Sequence, residues 1–231
     1  MTGRVRLGRR ALFALAGVAA CGACAEAPAA PASPSPAGAR LHTRWDTRSD
    51  GPVPAAGDEG VPFVVTVNGP PGPPSVRAGA LEGNLPDAPG AAYVNQDLGT
   101  PLRRVGARFS FGPGEETGSL CLAAWVALPY RDTHCHLVVT PRRWIYGVIR
   151  DLTLSEVGSG TFARPLPQDE TPVVVEAVLD GPRATLHLPD GTTTSLDDPR
   201  IAAAPGSIAC WEFYKYAAGA ADVRLHGSWA T

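Results

Sequence analysis

Residues 173–191 read Val173-Val174-Val175-Glu176-Ala177-Val178-Leu179-Asp180-Gly181-Pro182-Arg183-Ala184-Thr185-Leu186-His187-Leu188-Pro189-Asp190-Gly191. Two short apolar runs meet at Asp180-Gly181-Pro182, and the second run stops at Pro189-Asp190-Gly191. Branched apolar side chains suit a pleated, half-buried strand. Asp-Gly and Gly-Pro supply the backbone angles of a tight reversal. The stretch therefore predicts a β-hairpin followed by a second turn.

The same punctuation recurs on both sides. Phe63-Val64-Val65-Thr66-Val67 stops at Asn68-Gly69-Pro70-Pro71. Val105, Ala107, Phe109 and Phe111 alternate with Gly106, Arg108 and Ser110, the period of a strand with one wet face. Residues 120–126 and 134–140 flank a Pro129-Tyr130-Arg131-Asp132 loop and read as a second hairpin. Residues 143–149, 208–214 and 222–229 complete the set. Only Pro199 to Ala204 suggests a helical turn. About a dozen strands at this spacing predict an all-β domain over residues 40–231, a two-sheet jelly-roll sandwich or a closed barrel. Most of the chain's 24 Pro and 26 Gly punctuate it, the rest lying before residue 40.

The chain before residue 40 differs in kind. Residues 1–20 carry Arg4, Arg6, Arg9 and Arg10, no acid, and a short apolar run from Ala11 to Ala20. That is the layout of an export signal, too short to span a bilayer as a helix. Arg9-Arg10 resembles a twin-arginine signal, with an ordinary secretory signal as the rival. Val18-Ala19-Ala20-Cys21 resembles a bacterial lipobox, which makes Cys21 the lipidated residue; cleavage after Ala23-Cys24-Ala25 is the alternative. Residues 21–39, rich in Pro, Ala and Ser, read as an extended tether. The expected location is the outer face of the cytoplasmic membrane or the cell envelope, or release from it. Loss of residues 1–20 takes away four Arg, leaving 16 bases against 22 acids and a net charge of −6. An acidic domain does not suit the phosphate backbone, so no nucleic-acid partner is expected. Cys24, Cys121, Cys135 and Cys210 would remain in an oxidising space, where three pairings or buried free thiols stay open.

Several short segments together resemble the concanavalin A-like lectin/glucanase, or laminin-G-like, sandwich. They are an opening strand from Leu41 to Trp45, the Asp46–Gly51 segment, a hairpin at Arg77, Gly79 and Leu81, the Thr185–Gly191 hairpin, and the Trp211-Glu212-Phe213-Tyr214 strand before a last strand ending in Trp229. The likeness extends to small secreted actinobacterial proteins. It implies a jelly-roll sandwich whose first and last strands are neighbours. No cofactor is expected; the likeness brings calcium into view, with Asp46, Asp50, Asp190, Asp197 and Asp198 on offer, but Asp190-Gly191 and Asp197-Asp198-Pro199 read as turns.

The glucanases of that superfamily use a Glu-x-Asp-x-x-Glu strand, and this chain has no such run. Asp58-Glu59 and Glu115-Glu116 read as solvated loop charge, and no catalytic residue is assigned. His134 and His136 sit two apart, so a strand points both to one face. They read as a wet-face pair or, with His187 or Asp132, as part of a metal site. Parity on residues 211–216 places Glu212, Tyr214 and Tyr216 opposite Trp211 and Phe213, and puts Trp144 and Tyr146 on one face together. Arg108, His134, His136, Trp144, Tyr146, Glu212, Tyr214 and Tyr216 are the candidate ligand-binding residues. The expected function is non-catalytic binding of a glycan or cell-envelope component, with the membrane reached only through the lipid. The alternatives are a polysaccharide lyase using Arg, His, Tyr and Lys215 on the concave sheet, and an envelope scaffold that contacts protein only.

Overall fold

The computed structural model describes residues 40–231 apart from 70–71, 86, 126–133, 152 and 205. The signal, the tether and the Pro129–Asp132 loop lie outside the described residues. So does the side chain of Trp125. In chain order the strands are β1 (Leu41–Arg44), β2 (Gly51–Pro52), β3 (Val64–Asn68), β4 (Ser75–Arg77), β5 (Ala80–Glu82), β6 (Gly90–Asp97), β7 (Arg104–Phe111) and β8 (Gly118–Trp125). They continue as β9 (His134–Val139), β10 (Arg143–Arg150), β11 (Thr153–Thr161), β12 (Val173–Asp180), β13 (Arg183–His187), β14 (Thr193–Asp197), β15 (Ile208–Lys215) and β16 (Val223–Ala230). A 3-10 turn, Trp45–Thr47, follows β1, and a short helix α1 (Pro199–Ala202) precedes β15.

The strands form two antiparallel sheets. One runs β14-β13-β12-β7-β16-β5-β4-β2, with β1 also paired to β16, and the other runs β11-β10-β9-β8-β15-β6-β3. This is the all-β two-sheet sandwich. Leu41 pairs with Ala230, so the first and last strands are neighbours as the resemblance implies. The opening hairpin forms in register, with Asp180 opposite Arg183 and Gly181 at φ +55°, a backbone angle that glycine adopts freely. At the next turn Gly191, at φ +83°, donates its N–H to Leu188 O at 3.0 Å.

The strand count exceeds the sequence expectation. β6 (GAAYVNQD) is poor in branched residues, and β11 (TLSEVGSGT) is polar and glycine-rich, so neither shows a strong strand pattern. Both are held by pairing partners: β6 lies between β15 and β3, and β11 edges its sheet against β10.

The core lies between the sheets. Phe109, Phe111, Val175, Ala177, Leu186 and Leu225 come from the nine-stranded sheet, and Leu120, Leu122, Leu137, Val139, Trp211 and Phe213 from the seven-stranded one. Trp211 is fully buried, and its Nε1–H donates across the gap to Gly106 O on β7 at 2.9 Å. Gly106 also leaves room on its other side for Trp229, whose Nε1–H donates to Glu176 Oε1 at 2.7 Å. A Cβ at 106 would overlap the Trp229 indole.

Candidate functional site

Strand β15 organises the site by alternation. Trp211 and Phe213 enter the core, while Cys210, Glu212 and Tyr214 face outward from the seven-stranded sheet. Pairing carries this outer face across the sheet. One row runs Tyr93, Glu212, Cys121, Val138, Ile145, and the next runs Asn95, Cys210, Ala123, His136, Gly147. Two small apolar clusters form here, both touched by Tyr214. The Tyr214 and Tyr216 rings lie 4.2 Å apart between centroids.

Three ionisable side chains converge in the middle of this face. The ligand-type atoms of Cys121, His136 and Glu212 all lie within 4.8 Å of one another. His136 Nε2 is 3.3 Å from Glu212 Oε2, yet neither ring nitrogen makes a hydrogen bond. Ser119 Oγ lies 3.7 Å from Cys121 Sγ. Burial raises the Cys121 thiol well above its usual range, and the negative charge of Glu212 adds to the rise. Cys210 is raised by the same two causes, and Tyr216 by burial and then by Cys121 and Glu212. Nucleophilic cysteines work as thiolates with lowered pKa, the opposite of the direction at Cys121.

The sequence candidates divide. His134, His136, Glu212 and Tyr214 do share the outer face, and the two histidine rings stand 5.5 Å apart. Trp144 and Tyr146 face inward with the core cluster, 7% and 1% exposed, so neither is presented to a ligand. Their shared parity holds, but it points to the packed side, where large rings fill the gap between sheets. Arg108 lies on β7, in the opposite sheet, beside His226. His187 stands on β13 of that sheet, within 3.2 Å of Thr193 Oγ1, and brings no third ligand to the histidine pair. The residues offered to a lyase are therefore dispersed over three surfaces.

The cysteines follow the same rule. Cys135 faces the core, where burial pushes its thiol up to about 11. Cys121 and Cys210 face outward, so the hairpin bridge between Cys121 and Cys135 would have to pass through the sheet. All three are free thiols. The carboxylates offered to calcium do not converge among the described residues. Asp46 pairs with Arg44, Asp197 with Arg183 and Asp198 with Arg200, while Asp50 accepts the backbone N–H of the distant Ala78 and Asp190 that of Thr192 in its own turn.

A pocket of about 350 Å³ opens where β15 ends and β16 begins. Tyr214 and Phe213 form part of its wall, with Asn84 and Leu85. Its charged lining is Arg77, Lys215 and Arg224 against Glu82, Glu170 and Asp222. Lys215 Nζ lies 2.6 Å from Asp222 Oδ1. Arg224 reaches Glu82 at 3.1 Å and Glu170 at 2.6 Å, and donates to Arg77 O at 3.3 Å. Asn84 and Glu170 hold positive φ angles of 48° and 67°, an uncommon state for non-glycine residues that tends to gather at binding sites. The Asn84 amide is tied to Pro73 O and Ser75 Oγ at 2.6 and 2.9 Å. Sequence reading missed this pocket because its charges come from five separate segments. Only the unusual lone lysine, Lys215, marked the place.

No family model and no curated protein matches the sequence. Solved structures match the fold. LamAcat from Zobellia galactanivorans superposes with a TM-score of 0.55 at 10% identity, covering 83% of this chain and 96% of its own. An endo-beta-1,3-glucanase from Pyrococcus furiosus gives 0.54 at 9% identity, over 83% and 93%. The exoplasmic/lumenal domain of VIP36, in a calcium-bound form, gives 0.50 at 10% identity, over 76% and 85%. The sandwich is thus the concanavalin A-like jelly roll. In this chain the middle strands β8, β9 and β15 present one carboxylate on the outer face, Glu212, where retaining glycoside hydrolysis takes two.

Proposed function

We propose that the protein is an exported, lipid-anchored β-sandwich that seats a neutral saccharide, as part of a glycan or cell-envelope polymer, in the pocket between β15 and β16. The observation that carries this reading is the charge balance of the pocket. Three cations and three anions line about 350 Å³, and ion pairs hold all of them but Arg77 in place. That volume lies in the range of small-molecule sites, roughly 300–1,000 Å³. A neutral polyhydroxylated ring can donate to the carboxylates and accept from the cations at no net charge. An anion or a cation would meet like charge at half of the wall. Leu85 and the Phe213–Tyr214 segment give the wall apolar surface for sugar C–H groups. Fold carries no activity by itself, but its use in an endo-beta-1,3-glucanase is in keeping with a sugar ligand. Export and anchoring rest on Arg9-Arg10, the short apolar run, Cys21 and the tether.

The test is retention on a panel of neutral and acidic oligosaccharides and insoluble envelope polymers. A neutral saccharide should be bound, and Arg77→Ala or Tyr214→Ala should weaken it by at least about 10-fold. Binding of no neutral saccharide, or wild-type binding by both variants, refutes the reading. Detergent partitioning of the protein, lost on Cys21→Ser, tests the anchor separately.

A further inference from the structure

We propose that Cys121, His136 and Glu212 form a zinc site on the outer face of the seven-stranded sheet. Three adjacent strands build it. Cys121 on β8 pairs directly with Glu212 on β15, and His136 on β9 stands one pair further along, opposite Ala123. Their sulfur, nitrogen and oxygen atoms lie within 4.8 Å of one another. Zinc bonds to such atoms run about 2.0–2.3 Å, and tetrahedral angles then put the ligand atoms about 3.3–3.8 Å apart. Small side-chain shifts close the difference.

A second observation points to a missing partner. Neither ring nitrogen of His136, both buried, makes a hydrogen bond; Nε2 has only the Glu212 carboxylate 3.3 Å away, an ion pair when the ring is charged, and Nδ1 has no hydrogen-bond partner. Buried polar groups are nearly always satisfied, so an orphaned imidazole in a cluster of ligands asks for an explanation. A cation at the centre supplies it. The charge also closes: Zn²⁺ with one thiolate, one carboxylate and one neutral imidazole sums to zero, which suits a site that is 7% exposed at Glu212 and 11% at His136. Binding proceeds by loss of the Cys121 S–H proton to solvent as the Zn–S bond forms. The donor set selects the metal. One sulfur, one nitrogen and one oxygen suit zinc, whereas calcium and magnesium want oxygen alone. Ser119, at 3.7 Å from the sulfur, stands in the outer shell, and a fourth position is left for water.

The experiment uses the untagged, chelator-stripped full chain. Zinc should bind at one equivalent per chain in competition with a chromophoric chelator. Cobalt(II) in its place should give a thiolate-to-cobalt charge-transfer band in the near ultraviolet. Cys121→Ser should abolish that band. His136→Ala should weaken binding by more than about 100-fold, beyond what loss of an outer-shell partner gives. Arg77→Ala, which alters the saccharide pocket from the other sheet, should bind zinc as wild type. Absence of the cobalt–thiolate band in the wild-type protein overturns the proposal even if the variants fail to fold. So does a disulfide between Cys121 and Cys210 found by mass spectrometry in protein prepared without reductant.

Discussion

Replacing Trp211 by Phe tests how the two sheets are joined. Trp211 is fully buried, and its indole N–H reaches Gly106 O of the facing sheet at 2.9 Å. Phenylalanine keeps one ring, loses the pyrrole part and loses the donor. The lost apolar contact and the small void cost about 1–2 kcal/mol by comparison with core truncations. The lost hydrogen bond costs about 1 kcal/mol more, with a carbonyl left short of a partner. The sum is about 2–3 kcal/mol. For a domain of this size each kcal/mol lowers the melting temperature by roughly 2–4 °C, so a fall of about 4–12 °C is expected. Urea titration followed by tryptophan fluorescence and thermal melting followed by circular dichroism both read it. A fall of less than about 2 °C with an unchanged m-value would refute the inference that this bond and ring couple the sheets.

Other consequences follow from the same packing. Gly106→Ala forces a Cβ into the Trp229 indole and should destabilise by about 1–3 kcal/mol, read by urea titration; a neutral result would mean that the ring moves freely. His226 is held near a pKa of about 4 by burial, then by Arg108 and Arg224, below its ordinary 6.5. Between those values the unfolded chain binds a proton that the folded chain does not, so stability should fall as pH drops from 6.5 to 4. The slope is at most about 1.4 kcal/mol per pH unit, reduced because the ring is partly solvated. His226→Gln should flatten that part of the pH profile, and an unchanged profile would assign the loss elsewhere. Cys121, Cys135 and Cys210 should resist iodoacetamide at pH 8 in the native protein and react in urea, as mapped by peptide mass; rapid native labelling would contradict their raised pKa values.

Local chemistry in the chain was enough to define most of the strands and which residues share a face. The Asp180-Gly181-Pro182 turn, the alternation of β7 and the opposition of Glu212 to Trp211 all appear in the structure as their residue types demand. Two residues per repeat and the steric needs of a turn are properties of neighbouring residues. The weak patterns of β6 and β11 were not legible, because partners rather than propensity hold those strands. Parity could also say that Trp144 and Tyr146 share a face, but not which face. That depended on which side of β10 met the second sheet.

The site was legible only in fragments. The pair His134 and His136 and the shared face of Glu212 and Tyr214 could be read from spacing. That Cys121 lies opposite Glu212, and that both approach His136, is a matter of register between strands far apart in the chain. The pocket is more distant still, since Arg77, Glu82, Glu170, Asp222 and Arg224 meet only where the ends of two sheets close. The Asp-Gly hairpin with which residues 173–191 announce a sandwich is thus a statement about one strand and its turn. Which charges face each other is set by pairing across the whole sheet, because hydrogen-bond register, unlike alternation, is a relation between segments that the order of residues alone does not contain.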